Sequence, residues 1–120
     1  MSVPGRGVSP RRARGIAGED QAAAWYEAGG YQVVARNWRC RDGEIDLIAA
    51  HGSTIVVCEV KSRASADFGL PAEAVTPAKQ ARLRRLAAQW LEASGRRPRE
   101  VRFDVAAVLG NDLEVIQDAF

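Results

Sequence analysis

Asp46, Glu59 and Lys61 are the residues of this chain whose types and spacing suit a chemical task. Two carboxylates supply hard oxygen donors for Mg²⁺ or Mn²⁺, the Val60 carbonyl is a third, and magnesium would keep several of its waters. Lys61 stands two residues after Glu59 on an extended stretch, so both project to the same side. There its ammonium can orient an attacking water or offset the charge that builds as a phosphodiester is cleaved. Hydrolysis of nucleic acid is the chemistry that follows. Cross-strand ion pairs would account for the same residues without catalysis, and the spacing alone does not separate the two.

The stretch Gly43 to Lys61 must position them. It holds two apolar runs broken by Gly52-Ser53, with β-branched residues dominating the second run. That pattern predicts a β-hairpin with a two-residue type II′ turn. With His51 facing Thr54 across the turn, Ile48 faces Val57, Asp46 faces Glu59 and Glu44 faces Lys61. All these charges share one face, while Ile45, Leu47, Val56, Cys58 and Val60 form an apolar face that must be buried. Carboxylates with Cβ atoms roughly 5 Å apart raise each other's pKa unless a cation lies between them. His51, at the hairpin tip, reads as a turn residue.

A chain of 120 residues, 47% of them hydrophobic, is one domain with a single core. The net charge is only +2, but 15 of the 17 cations are arginine, the residue suited to bidentate phosphate contacts. An Arg-rich genome would give the same composition. No apolar run approaches the roughly 18 residues of a membrane span, and Arg11-Arg12 is not followed by a secretion signal's apolar core, so a cytoplasmic protein is expected. Cys40 and Cys58 lack the spacing of a zinc site or a disulfide framework, and Cys58 reads as a core residue.

Residues 1–14 place Arg6, Arg11, Arg12 and Arg14 among Pro, Gly and Ser, which predicts a disordered basic tail before a domain spanning 15–120. The tail is either an arm adding phosphate affinity or a tolerated extension. Ala-rich sequence from Gly15 to Ala28 predicts a helix ended by Gly29-Gly30, with Glu19, Ala22, Ala23 and Tyr26 on one face. Glu19 then either points inward to the hairpin's acids or favours the helix dipole from the surface. Tyr31 to Ala35 reads as a strand. Arg36, Trp38, Arg39 and, past the hairpin, Arg63 suit contact with phosphates and bases, although Trp38 equally suits packing.

A polar loop then runs to Val75, long enough to close over a substrate. Thr76-Pro77 opens a helix reaching about Ala93, with Leu83, Leu86, Ala87, Trp90 and Leu91 as its buried stripe and Arg82, Arg85 and Gln89 on the solvated side. Lys79 and Gln80 lie where they could reach the sheet. Val101 to Leu109 and Leu113 to Gln117 read as strands about a Gly110-Asn111-Asp112 turn, with Asp104 structural. The order αβββαββ gives an α/β domain, a central mixed β-sheet flanked by helices.

Gly43-Glu44-Ile45-Asp46-Leu47-Ile48 followed by Glu59-Val60-Lys61-x-Arg63 resembles the YraN-like family of bacterial proteins. Arg14-Gly15 with Gly18-Glu19, Arg36-Asn37-x-Arg39, Phe103-Asp104-Val105 and the closing Ala119-Phe120 extend the match over nearly the whole chain apart from the tail. That family is similar to archaeal Holliday junction resolvases and to the restriction-endonuclease-like PD-(D/E)xK superfamily. The resemblance implies Asp46 and Glu59 as metal ligands, Lys61 as the catalytic lysine, Glu19 as the helix acid completing the site, and Gln80 near a polar position of the later helix. It further implies a Mg²⁺-dependent endonuclease acting on DNA, branched or damaged, and a homodimer as in the resolvases. Where many such nucleases carry Pro, this chain has Gly43-Glu44-Ile45 before Asp46, which removes no ligand. The alternative is a noncatalytic nucleic-acid-binding protein on the same fold, its acids held by Arg36, Arg39 or Arg63.

Overall fold

The computed structural model describes residues 10–63 and 75–120. In chain order the elements are α1 (Pro10–Ala28), β1 (Gln32–Cys40), β2 (Gly43–His51), β3 (Thr54–Arg63), α2 (Pro77–Ser94), β4 (Glu100–Leu109) and β5 (Asp112–Ile116). This is the αβββαββ order read from the sequence. Expectations for the first nine residues of the tail and for the 64–74 loop fall outside the described residues.

The five strands form one open sheet in the order β1-β2-β3-β4-β5. Only β3 and β4 pair in parallel, joined by the crossover that carries α2; the other pairs are antiparallel. A parallel pair needs such a crossover, whereas antiparallel neighbours can turn directly. The turn between β2 and β3 has Gly52 at φ +58°, and Ser53 stays out of the left-handed region, as a type II′ turn requires.

Each helix covers one face of the sheet. Ala22, Ala23 and Tyr26 of α1 pack on Leu47, Ala49, Val56, Cys58 and Ala106. On the other face Leu83, Leu86, Ala87 and Trp90 of α2 pack on Ile48, Ile55, Val57, Phe103 and Val105. The run Ile55–Cys58 is therefore buried from both sides, which explains why β3 reads as continuously apolar there instead of alternating. Thr76 caps α2 by accepting the Lys79 N–H at 3.3 Å, and Gly95, at φ +73°, closes it by donating to the Leu91 carbonyl.

Four sequence expectations need correction. Helix α1 begins at Pro10, not Gly15: the shortage of apolar residues argued for disorder, but Pro is tolerated in a first turn and Arg and Ala are good helix formers. Strand β1 continues through the arginine-rich segment to Cys40, because an edge strand tolerates outward-facing charges. Ile45 packs in the α2 cluster instead of sharing a face with Leu47. Gln89 is half-buried and partnered: its amide donates to Asp42 at 2.6 Å and its carbonyl accepts from the Cys40 thiol, tying α2 to the β1–β2 turn.

Candidate functional site

The predicted hairpin register holds from His51↔Thr54 to Leu47↔Cys58, where the β2–β3 ladder stops. Beyond that point β2 stays paired with β1 as far as Gly43, and β3 stays paired with β4 as far as Arg63. The two central strands thus part company, and Asp46, Glu59, Val60 and Lys61 stand where they fork.

Asp46 spans the fork, accepting the Val60 N–H on Oδ2 at 2.9 Å. Burial, and then the neighbouring Glu59 carboxyl as hydrogen-bond partner and like charge, push its pKa up to about 8. The Val60 N–H and the Lys61 charge pull the other way without cancelling the rise. The predicted confrontation of the two acids is therefore present although the backbone ladder has ended. The expected Glu44–Lys61 facing is not: Glu44 sits opposite Arg39 on β1 and pairs with its guanidinium at 3.0 Å.

Glu19 takes the inward of its two readings, its side chain only 15% exposed. Gly18 brings it there, since a Cβ at that position would lie 2.0 Å from Ser62 Oγ and in contact with Val60, so only glycine lets α1 settle this closely on the fork. Asn37 Nδ2 donates to Glu19 Oε1 at 2.9 Å, and the Arg36 guanidinium stands 3.8 Å from the same oxygen. Burial lifts the Glu19 carboxyl above its usual range, the Asn37 hydrogen bond opposes this, and the charge of Asp46 adds to it. Glu19 and Asp46 therefore feel each other across the fork. Beside them a cleft of about 560 Å³ is lined by Arg12, Gly15, Ile16, Glu19, Asn37, Arg39 and Glu44.

The remaining sequence candidates are placed as follows. Arg36 donates to Asp20 at 2.6 Å, and Arg39 keeps a mostly exposed side chain at the cleft. Trp38 packs against the α2 cluster, the packing alternative of its two readings. Gln80 donates its amide to the Val75 carbonyl at 3.1 Å. The Arg63 side chain lies outside the described atoms. Two contributors were given no role beforehand: Gly18 and Asn37 stood within the motifs Gly18-Glu19 and Arg36-Asn37-x-Arg39, and Gly18 also as a glycine inside a helical pattern.

Among the described residues no three of His, Cys, Asp and Glu converge as a ready-made metal cage. What the fork offers is two carboxylates and the Val60 main-chain oxygen, an all-oxygen donor set of the kind that suits Mg²⁺ or Mn²⁺ better than zinc. The crowding that keeps a proton on Asp46 is what a divalent cation would relieve, so the residues fit the ion. No described helix is long and apolar enough to cross a membrane.

Fold and site together define an α/β domain with a mixed five-stranded sheet between two helices and an acidic pair with a lysine at a fork between central strands. The family model described as "Uncharacterised protein family UPF0102" matches residues 18–108, and the chain belongs to that family. It is 59% identical over 95 residues to a UPF0102 protein of Beutenbergia cavernae, covering 79% of this chain and 80% of the relative. It is 54% identical over 91 residues to one from Parafrankia sp., covering 76% and 77%. Against a UPF0102 protein of Rhodococcus jostii the identity is 50% over 113 residues, covering 90% and 96%.

Proposed function

We propose that this protein is a restriction-endonuclease-like, Mg²⁺- or Mn²⁺-dependent nuclease that hydrolyses DNA phosphodiester bonds. The observation that carries the reading is the Asp46–Glu59 pair, half-buried at the fork, mutually crowded and accompanied by Lys61. Structural carboxylates are normally supplied with donors, whereas this pair is supplied mainly with each other.

Asp46, Glu59 and the Val60 carbonyl would hold the cation. When bound, it supplies Lewis-acid polarisation of a phosphate oxygen and neutralises developing charge. The Val60 N–H fixes one oxygen of Asp46 and so orients the carboxylate. Lys61 can donate to the incoming water or to the phosphate oxygens as negative charge grows on them. The water oxygen would bond to phosphorus as the bond from phosphorus to the sugar oxygen breaks, the water's proton passing to solvent and the departing sugar oxygen taking one from Lys61 or from a second water. Junction, flap and single-stranded DNA incubated with the protein and Mg²⁺ or Mn²⁺ should be cut by the wild type and not by Lys61→Ala or Asp46→Ala. Equal cutting by those variants would reject the assignment.

A second reading, a noncatalytic nucleic-acid-binding protein on the same fold, is favoured by the ion pairs of Arg36 with Asp20 and Glu19 and of Arg39 with Glu44. Salt-dependent DNA binding with no metal-dependent cleavage on any of the three substrates would select it.

A further inference from the structure

We propose that Asn37 is a positioning residue of this site, its side-chain amide holding Glu19 beside the Asp46–Glu59 pair, where the α1 carboxylate acts from the outer shell on a cation held by that pair. The inference rests on the metal-site reading given above. Glu19 has three side-chain torsions and, on an α1 that lies against Ser62 and Val60, needs a partner to keep one of them. The 2.9 Å hydrogen bond from Asn37 Nδ2 to Oε1 is that partner. Arg36, the other candidate, is committed to Asp20 at 2.6 Å and stands off Glu19 at 3.8 Å.

The choice of donor matters chemically. A guanidinium in contact would neutralise the carboxylate it holds, whereas a neutral amide fixes it and leaves its charge available to a cation. The backbone is consistent with this task. Asn37 sits at φ +51° within β1, one of two described residues other than glycine with positive φ, and asparagine is among the few side chains that tolerate that conformation. The other is Asp118, φ +53°, whose N–H is spent on the buried Asp104. In both places a left-handed backbone delivers a donor to an acid. Asn37 and Glu19 also line the same cleft, so the clamped carboxylate faces open volume.

The test is calorimetric titration of the full chain with Mn²⁺, for wild type, Asn37→Gly, Glu19→Gln and the double variant. Glycine keeps the left-handed backbone and removes only the amide. Each single substitution is expected to weaken Mn²⁺ binding roughly 10-fold or more, the usual cost of losing an outer-shell partner, with the double variant no weaker than Glu19→Gln. Asn37→Ser, whose shorter side chain cannot reach Glu19 Oε1 and adds no charge, should weaken binding to the same extent and serves if the glycine variant does not fold.

Wild-type affinity in Asn37→Gly, with or without a lower melting temperature, would overturn the inference. So would a further 10-fold loss in the double variant, which would make the two residues independent. A wild type that takes up no Mn²⁺ would overturn the metal-site reading itself, and the inference with it.

Discussion

Two aspartates in this molecule, one fully buried and one half-buried, lead opposite lives. Asp104 on β4, fully buried, accepts from Tyr26 Oη, from Arg102 Nε at 2.9 Å and Nη2 at 3.0 Å, and from the Asp118 N–H at 3.0 Å. Asp46 on β2 receives the Val60 N–H and otherwise confronts a second carboxyl. The first acid is saturated with donors and includes a counter-charge, which is how a protein tolerates a buried carboxylate. The second is short of positive charge in a desolvated place. The difference separates an acid whose donors tie the fold together from one set against a like charge.

Substitutions should split along the same line. Asp104→Ala strips three groups of their acceptor and leaves the half-buried Arg102 unpaired; it should cost about 3–5 kcal/mol and lower the melting temperature by roughly 10–20 °C. Asp46→Asn should do the reverse. Relieving the confrontation with Glu59 leaves the metal-free melting temperature unchanged or higher, while Mn²⁺ affinity by calorimetry falls by about 10-fold or more. A large loss of stability in Asp46→Asn would make Asp46 a second Asp104 and erase the distinction.

The same confrontation makes stability depend on pH. Asp46 titrates near 8 in the folded chain against an ordinary value of 3.8, so above about pH 4 the folded state holds a proton that the unfolded chain releases. Its contribution to stability is complete below that point and is lost as pH rises towards 8. Thermal melts in EDTA should therefore show the wild type losing ground to Asp46→Asn between these limits, and Mn²⁺ should restore it most at the alkaline end.

Much of this was legible beforehand, for local reasons. The turn at Gly52-Ser53 set the register and so brought Asp46 to Glu59; Thr76, Pro77 and Gly95 bounded α2 by capping chemistry alone. What was not legible depended on distant partners. The ladder's end at Leu47↔Cys58 redirected Ile45 and handed Glu44 to Arg39, and a period-two pattern carries no mark of where two strands separate. Gln89 looked solvated on a helical wheel because its partners, Asp42 and Cys40, lie almost fifty residues earlier. Asn37, quoted in a motif but given no task, shows its partner only once α1 and β1 are side by side.

Helix α1 carries both Tyr26, anchored to Asp104, and Glu19, held at the fork, with Gly18 setting the contact between them and the sheet. Seven residues apart, the two side chains lie about two turns, or roughly 10 Å, along one face of the same rod. The helix is thus a ruler whose fixed end is the buried phenol–aspartate contact and whose reading end is the candidate site. An anchor that slips by a fraction of a turn moves the far mark by the same amount. Changes at Tyr26 or Arg102 would then be expected to move Glu19 while touching nothing at the fork.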